Sequence, residues 1–221
     1  MTRTELARYL DHTLLKPDAT VGDIRKLVEE ALAWDVYAVC VNSGYVPEAA
    51  RIRGAHTSLA IAATIGFPLG QMLTEAKVAE TRLASEAGAD EIDVVWNLGR
   101  YLSGDLDAVS EDIRRVVDVA GSIPVKVILE TARLTPEQIR HGSQLAIDAG
   151  AHTVKTSTGF GFGGATVEAV RLMRETVGPS FGVKASGGIG TYGDAIAMIE
   201  AGASRIGLSK TGAVLEGAPP G

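Results

Sequence analysis

The sequence predicts an α/β protein, a single-domain TIM (β/α)8 barrel, and three observations carry that expectation. Apolar, β-rich runs alternate with amphipathic helical stretches at a spacing of about 30 residues, the size of one βα unit. Eight such runs can be read along the chain. An acid-Ala-Gly-Ala pattern recurs as Glu86-Ala-Gly-Ala-Asp90, Asp148-Ala-Gly-Ala-His152 and Glu200-Ala-Gly-Ala-Ser204, each copy close to two units from the next. The rival architecture, a doubly wound open sheet, would carry a glycine-rich nucleotide fingerprint after its first strand, and the sequence has none there.

The strands are expected near residues 9–14, 36–41, 59–65, 91–95, 125–129, 152–156, 181–185 and 205–208. Several are nearly continuous in Val, Ile, Leu and Ala, as strands covered on both faces should be. Thr20-Val-Gly-Asp23 reads as a capping box with Asp in place of the usual Glu or Gln, and Ile24, Leu27, Val28, Ala31 and Leu32 follow at helical spacing. Thr135-Pro136 offers an N-cap followed by proline at the first helical position. In the repeat, Gly88, Gly150 and Gly202 fall just past a helix end, where a left-handed residue closes the turn into a strand. The domain is expected to occupy 1–221, with a short N-terminal helix and a Pro/Gly C-terminal tail.

Composition narrows the function classes. The 221 residues are 46% hydrophobic and 22% charged, ordinary for one globular domain. A formal net charge of −6 argues against a nucleic-acid surface, which needs a concentrated basic face. Charged residues interrupt every apolar run before the roughly 18 residues a membrane span requires, so no membrane partner is expected. The N-terminus lacks the apolar core of an export signal, and Cys40 is the single cysteine. A cytoplasmic protein without an internal disulfide is therefore expected.

The repeat also aligns strand positions. Five residues beyond each turn glycine stand Asp93, Lys155 and Gly207, so Asp93 and Lys155 are expected at equal height in the barrel. Alternation then sends Ile92, Val94 and Val154 toward the helices and Asp93 and Lys155 inward. By the same parity Lys126, Ile128 and Glu130 point inward from the fifth strand, Lys184 from the seventh, and Cys40 and Asn42 from the second. Asp11 joins them from the first.

One lysine in an apolar strand is better read as a paired structural charge. Three of them with facing carboxylates point instead to an active site, where the cost of buried charge is tolerated. An amine attacks a carbonyl only when neutral, and a free lysine has a pKa of about 10.4. Burial and a neighbouring ammonium, here Lys184 beside Lys155, both favour the neutral form. Asp93 is placed to accept and return protons. These residues suit carbinolamine formation, dehydration to an imine and proton transfer through an enamine, and they name no substrate.

Glycine-rich segments follow the last three strands: Thr156-Ser-Thr-Gly-Phe-Gly161, Lys184-Ala-Ser-Gly-Gly-Ile-Gly190 and Gly207-Leu-Ser-Lys-Thr-Gly212. Loops after the seventh and eighth strands often bind phosphate in this architecture, with Gly187 and Gly188 allowing close backbone approach and Ser209 adding a hydroxyl, and the segment after the sixth is expected to close the same pocket. His12, His56, His141 and His152 show no paired ligand spacing, so no metal is expected. Neither a nucleophile elbow nor a Walker loop is present. Cys40 reads either as a nucleophile or as core, and Asp11 and His12 either as functional groups or as structural hydrogen-bonding partners.

Leu10-Asp-His-Thr-Leu-Leu, Cys40-Val-Asn, Glu91-Ile-Asp-Val-Val, Val125-Lys-Val-Ile-Leu-Glu-Thr, Val154-Lys-Thr-Ser-Thr-Gly and Val183-Lys-Ala-Ser-Gly-Gly-Ile, in that order, resemble the deoxyribose-phosphate aldolase family. The resemblance runs from about residue 6 to residue 212. It implies a class I aldolase that uses no metal or other cofactor and reversibly cleaves 2-deoxy-D-ribose 5-phosphate to D-glyceraldehyde 3-phosphate and acetaldehyde. It assigns Lys155 as the Schiff-base lysine, Asp93 as the proton-transfer aspartate and Lys184 as the second lysine, which perturbs the first and joins the relay. Gly159, Gly187, Gly188, Gly207 and Ser209 fall in the phosphate loops. Asp11 and Thr13 match the motif near the substrate hydroxyl, and Cys40, Lys126 and Thr158 complete the expected substrate contacts. A homo-oligomer, dimer or tetramer, is expected.

Two departures stand out. Phe160 occupies a position where some members carry lysine, and the chain ends Glu-Gly-Ala-Pro-Pro-Gly where some end in tyrosine. Two other readings of the same charges are a phosphosugar isomerase and a non-catalytic phosphosugar-binding protein.

Overall fold

The computed structural model describes residues 1–161 and 163–220. Eight parallel strands close into a barrel in chain order: β1 (Leu10–Leu14), β2 (Ala38–Asn42), β3 (Ala60–Ile65), β4 (Glu91–Val95), β5 (Val125–Ile128), β6 (Thr153–Lys155), β7 (Gly182–Ser186) and β8 (Arg205–Leu208). Helices surround this single domain, as the alternating pattern predicts. A short helix, Arg3–Ala7, precedes β1, and after the helix Thr211–Glu216 the tail turns back so that the Pro219 carbonyl accepts from the Arg3 N–H. Gly221, the last residue of the expected tail, lies outside the described residues.

Local signals set the helix starts. Thr20 caps the helix Val21–Trp34 and Asp23 returns the bond to the Thr20 N–H, so aspartate completes the capping box. Thr135 and Gln138 do the same for Pro136–Asp148, with proline in its first turn. Gly88, Gly150 and Gly202 all have positive φ, the conformation expected at the three repeat turns. The outward residues of the strands, among them Val39, Ile61, Ile92, Val127, Val154 and Val183, are fully buried against the helices. Each such side chain contributes about 1.5–3 kcal/mol by leaving water.

Only β4 and β8 keep the expected bounds; the other strands shift by one residue at one or both ends, the start of β2 by two, and two of these shifts have a visible cause. Residues 36 and 37 precede β2 because Asp35 takes a left-handed conformation and Val36 donates back to the Ala31 carbonyl, closing the preceding helix. β5 stops at Ile128, and Glu130 adopts φ +55°, so the inward alternation does not extend to it.

The pairing register places the interior residues. Asp93 pairs with Lys126 and Lys126 with Thr153, while Lys155 pairs with Lys184. Round the sheet the register slips by about one residue per strand relative to the barrel axis, the stagger of an eight-stranded barrel of this shear. Correcting for that slip puts Cys40, Asp93, Lys155 and Gly207 in one layer, one residue from each even strand. Asp11, Ala62, Lys126 and Lys184 form the layer beneath, from the odd strands. Thr13, Thr64, Ile128 and Ser186 lie above. Asp93 and Lys155 are therefore level, as the turn-glycine repeat predicts.

The end of β4 is fastened from outside the barrel. Lys77, on the helix Thr74–Glu86, is fully buried and donates to the Val95 carbonyl at 2.9 Å and to Asp112 Oδ2 at 2.5 Å. Thr74 donates to the other oxygen of Asp112 at 2.8 Å. This pair ties β4 to the helices Thr74–Glu86 and Leu106–Ala120.

Candidate active site

The two charged layers meet at Asp93, which has no solvent exposure. Its Oδ2 accepts from Lys155 Nζ at 2.7 Å and from Lys184 Nζ at 2.8 Å; its Oδ1 accepts from Lys126 Nζ at 2.6 Å. Lys126 also pairs with Glu91 at 2.7 Å, and Lys184 with Asp11. Arg205, at the start of β8, lies 3.6 Å from Asp11 and stacks on the ring of Tyr37. Among the described residues Lys126 and Lys184 thus each hold two carboxylates, and Lys155 holds one.

Burial alone would raise the Asp93 carboxyl; the ammonium groups of Lys126, Lys155 and Lys184 outweigh it and hold that carboxyl well below the ordinary carboxylate range. Burial works against the charge of Lys184 too, yet Asp11 and Asp93 hold its ammonium well above the usual lysine range. Lys126 is raised by the same balance, burial being overcome by Asp93 and Glu91. The Cys40 thiol, fully buried and 4.0 Å from Asp93 Oδ2, is pushed up by desolvation, so it stays a protonated thiol at neutral pH. It packs with Leu15 and Ala62, the core alternative of its two sequence readings.

Above the network opens a cavity of about 290 Å³ at the C-terminal ends of the strands. Its wall contains Lys155, Thr13, Thr158, Gly159, Gly187, Gly188, Gly207 and Ser209, so the expected phosphate glycines and the expected nucleophile share one space. Lys16, from the loop after β1, stands on the same wall. Asp11, Cys40 and Lys126, expected as substrate contacts, are not among the residues of this wall. Register is the reason for Asp11 and Lys126, which belong to the lower layer as partners of Lys184 and Asp93, whereas Cys40, level with Lys155, packs with Leu15 and Ala62.

Glycine is required where the loops touch. Gly187 has φ +84°, and a Cβ there would come within 3.0 Å of the Gly164 Cα. A Cβ on Gly207 would come within 3.0 Å of Lys184 Cε, so this glycine also makes room for the second lysine. The Ser186 and Thr156 side chains and backbone cross-link the segments after β6 and β7, with Thr156 donating to the Ser186 carbonyl at 3.0 Å and Ser186 to the Ser157 carbonyl at 2.7 Å. Phe160 is half exposed and meets Phe67 edge to face at 5.2 Å.

Glu130 leaves the predicted interior cluster. Its left-handed backbone costs about 1–3 kcal/mol and turns the carboxylate toward Thr158, 2.5 Å from its hydroxyl. Conversely, Glu91 and Arg205 join the network unforeseen. They sit two residues before Asp93 and Gly207, and the parity that singled out those positions applies equally to them.

Comparison with known proteins agrees with this geometry. The family model described as DeoC/LacD family aldolase matches residues 6–215. A deoxyribose-phosphate aldolase of Thermococcus gammatolerans is 53% identical over 221 residues, covering 99% of this chain and 98% of that protein. Another, from Deinococcus radiodurans, is 52% identical over 205 residues, 92% of each chain. The deoxyribose phosphate aldolase of Aeropyrum pernix, described as having a unique tetrameric structure, superposes with a TM-score of 0.90 at 36% identity, covering 97% of this chain and 91% of that one. With a family match across nearly its whole length and a lysine at the mouth of a closed barrel, the chain belongs to the DeoC/LacD family of aldolases.

Proposed function

We propose that the protein cleaves 2-deoxy-D-ribose 5-phosphate reversibly to D-glyceraldehyde 3-phosphate and acetaldehyde, through an imine on Lys155. One observation carries the choice of residue. Lys155 is the interior lysine on the cavity wall, and it is the one held by a single carboxylate. Forming an imine there gives up one ion pair, whereas reaction at Lys126 or Lys184 would give up two.

The neutral Lys155 amine attacks the C1 aldehyde of the open-chain sugar, giving a carbinolamine that loses water to become an iminium. The iminium draws in the electrons of the C2–C3 bond while the C3 hydroxyl loses its proton. Glyceraldehyde 3-phosphate departs and an enamine remains. Protonation of the enamine at C2 and addition of water then release acetaldehyde and the free lysine. The iminium is the electron sink, so the sequence of steps calls for no metal.

Asp93 and Lys184 handle the protons. While three ammonium groups surround it, Asp93 is a weak base. When Lys155 gives up its proton to attack as the neutral amine, one ammonium is withdrawn from Asp93, and Asp93 becomes a better acceptor at the carbinolamine stage, where protons must be moved. Lys184, kept charged by Asp11 and Asp93, supplies the ammonium that disfavours a second charge beside it. Gly159, Gly187, Gly188, Gly207 and Ser209 receive the phosphate through backbone donors and a hydroxyl.

We further expect a homo-oligomer, which the tetrameric description of the Aeropyrum pernix relative supports, and a cytoplasmic location suited to a reduced Cys40. Incubating the protein with 2-deoxyribose 5-phosphate and following acetaldehyde release tests the reaction. Wild-type turnover that disappears in Lys155→Ala supports the assignment. Undiminished turnover in that variant would remove Lys155 from the mechanism.

A further inference from the structure

The residue that left the barrel interior has a position of its own. Glu130 is a non-glycine residue at φ +55°, and it is only 8% exposed. Such a conformation is uncommon for a long side chain and persists when surrounding contacts require it. Here Oε2 accepts from the Thr158 hydroxyl at 2.5 Å and from the Thr158 N–H at 3.3 Å. The Thr158 oxygen in turn accepts from the Phe160 N–H at 3.1 Å. Next to Glu130, the Thr131 N–H donates to the Thr156 carbonyl at 2.9 Å. Alternate residues of the segment after β6 are thus tied to the end of β5, and Gly159 lies between two anchored neighbours.

These ties come from behind. Glu130 lines a second, largely apolar cavity of about 320 Å³, walled also by Pro68, Leu98 and Leu102. Thr158 and Phe160 face both this cavity and the catalytic one. The segment is therefore a thin partition, gripped on one side by a carboxylate and presenting Gly159 to the substrate on the other. A negative charge close to an anion site weakens binding by simple Coulomb repulsion. Its presence makes sense if fixing the loop contributes more than the repulsion costs. Hydrogen bonds to a carboxylate are the strong kind, and a loop ordered in advance spares the ligand the cost of ordering it.

We propose that Glu130 is a positioning residue: it holds the segment after β6 in its phosphate-binding shape and so sets the preference for phosphorylated over unphosphorylated substrates. The identity of the substrates rests on the aldolase reading, while the anion site does not.

The test pairs inorganic phosphate binding by calorimetry with steady-state kinetics on 2-deoxyribose 5-phosphate and 2-deoxyribose. Glu130→Ala should weaken phosphate binding about tenfold and raise KM for the phosphorylated sugar by a similar factor. Both kcat on the phosphorylated sugar and kcat/KM on 2-deoxyribose should stay within about threefold. Glu130→Gln keeps an acceptor for Thr158 and should remain within about threefold of wild type throughout. Thr158→Val removes the other end of the bond and should weaken phosphate binding by a similar factor, which keeps the test open if Glu130→Ala does not fold. Equal losses on both sugars, tighter phosphate binding in both Glu130 variants, unchanged binding in Glu130→Ala, or a wild type that binds no phosphate would each overturn the proposal. A wild type that binds phosphate but cleaves neither sugar would instead defeat the aldolase reading, with the calorimetry still deciding the role of Glu130.

Discussion

Asp93 is the residue on which the interior turns, since three lysine nitrogens reach its two oxygens. Lys155→Ala should lower cleavage by at least about 10⁴-fold with little change in fold, because it removes the proposed nucleophile but only one ion pair. Lys184→Leu should behave differently. It strips a buried carboxylate, Asp11, of its nearest cation, so stability should fall by about 3–5 kcal/mol in chemical denaturation. Any residual activity should have a pH–rate profile moved to higher pH, because the neighbouring ammonium is gone. An unmoved profile with full activity would remove the proposed role of Lys184. Much of this was legible in the chain. A period of two, counted from the turn glycines, suffices to find Asp93, Lys155 and Gly207 in one layer. Pair geometry was not legible, because nothing in a string of residues says that Lys126 turns down to Glu91 while Lys155 turns up to the cavity.

Where an element ends proved harder to read than where it runs. Apolar alternation continues through Leu129, yet β5 stops at Ile128 and Glu130 turns left-handed, a choice dictated by Thr158 far along the chain. Lys77 was missed for a similar reason. A lysine in the helix Thr74–Glu86 looks like an ordinary surface residue, and only Asp112 and the Val95 carbonyl explain its complete burial. Lys77→Met should therefore destabilise the protein by about 3–5 kcal/mol, much of it from leaving Asp112 buried without its partner. Urea unfolding checks the value, and a loss below about 1 kcal/mol would mean the pair is worth no more than a surface one. By contrast, the capping boxes at Thr20 and Thr135 were plain in the sequence, because capping depends on residues three apart. Thr135→Ala should cost about 1 kcal/mol by the same measurement.

At the scale of the whole molecule, the buried charges predict a stability window. The Asp93 carboxyl is depressed, so its contribution is full above the ordinary value of 3.8 and is lost as pH falls through the lower folded value. Lys184 is raised, so its contribution is full below 10.5 and is lost as pH rises through the higher folded value. His12 titrates between these limits. Burial holds it neutral more readily than in the unfolded chain, although Glu30 partly offsets this, so stability should begin to decline below pH 6.5. Thermal melts against pH should show that shallow decline first and a steep one below about pH 4; His12→Gln should remove the shallow limb alone. Sedimentation should find the protein as a dimer or tetramer, and a monomer at working concentrations would contradict that expectation. The barrel itself was legible because its units repeat, whereas the assembly leaves no periodic mark on the chain. Covalent chemistry at Lys155 decides the mechanism. Incubation with acetaldehyde and borohydride, followed by peptide mapping, should find a reduced two-carbon adduct on the peptide that contains Lys155 and should abolish turnover. An unmodified Lys155 in protein that is turning over substrate, or an adduct confined to Lys126 or Lys184, would contradict it.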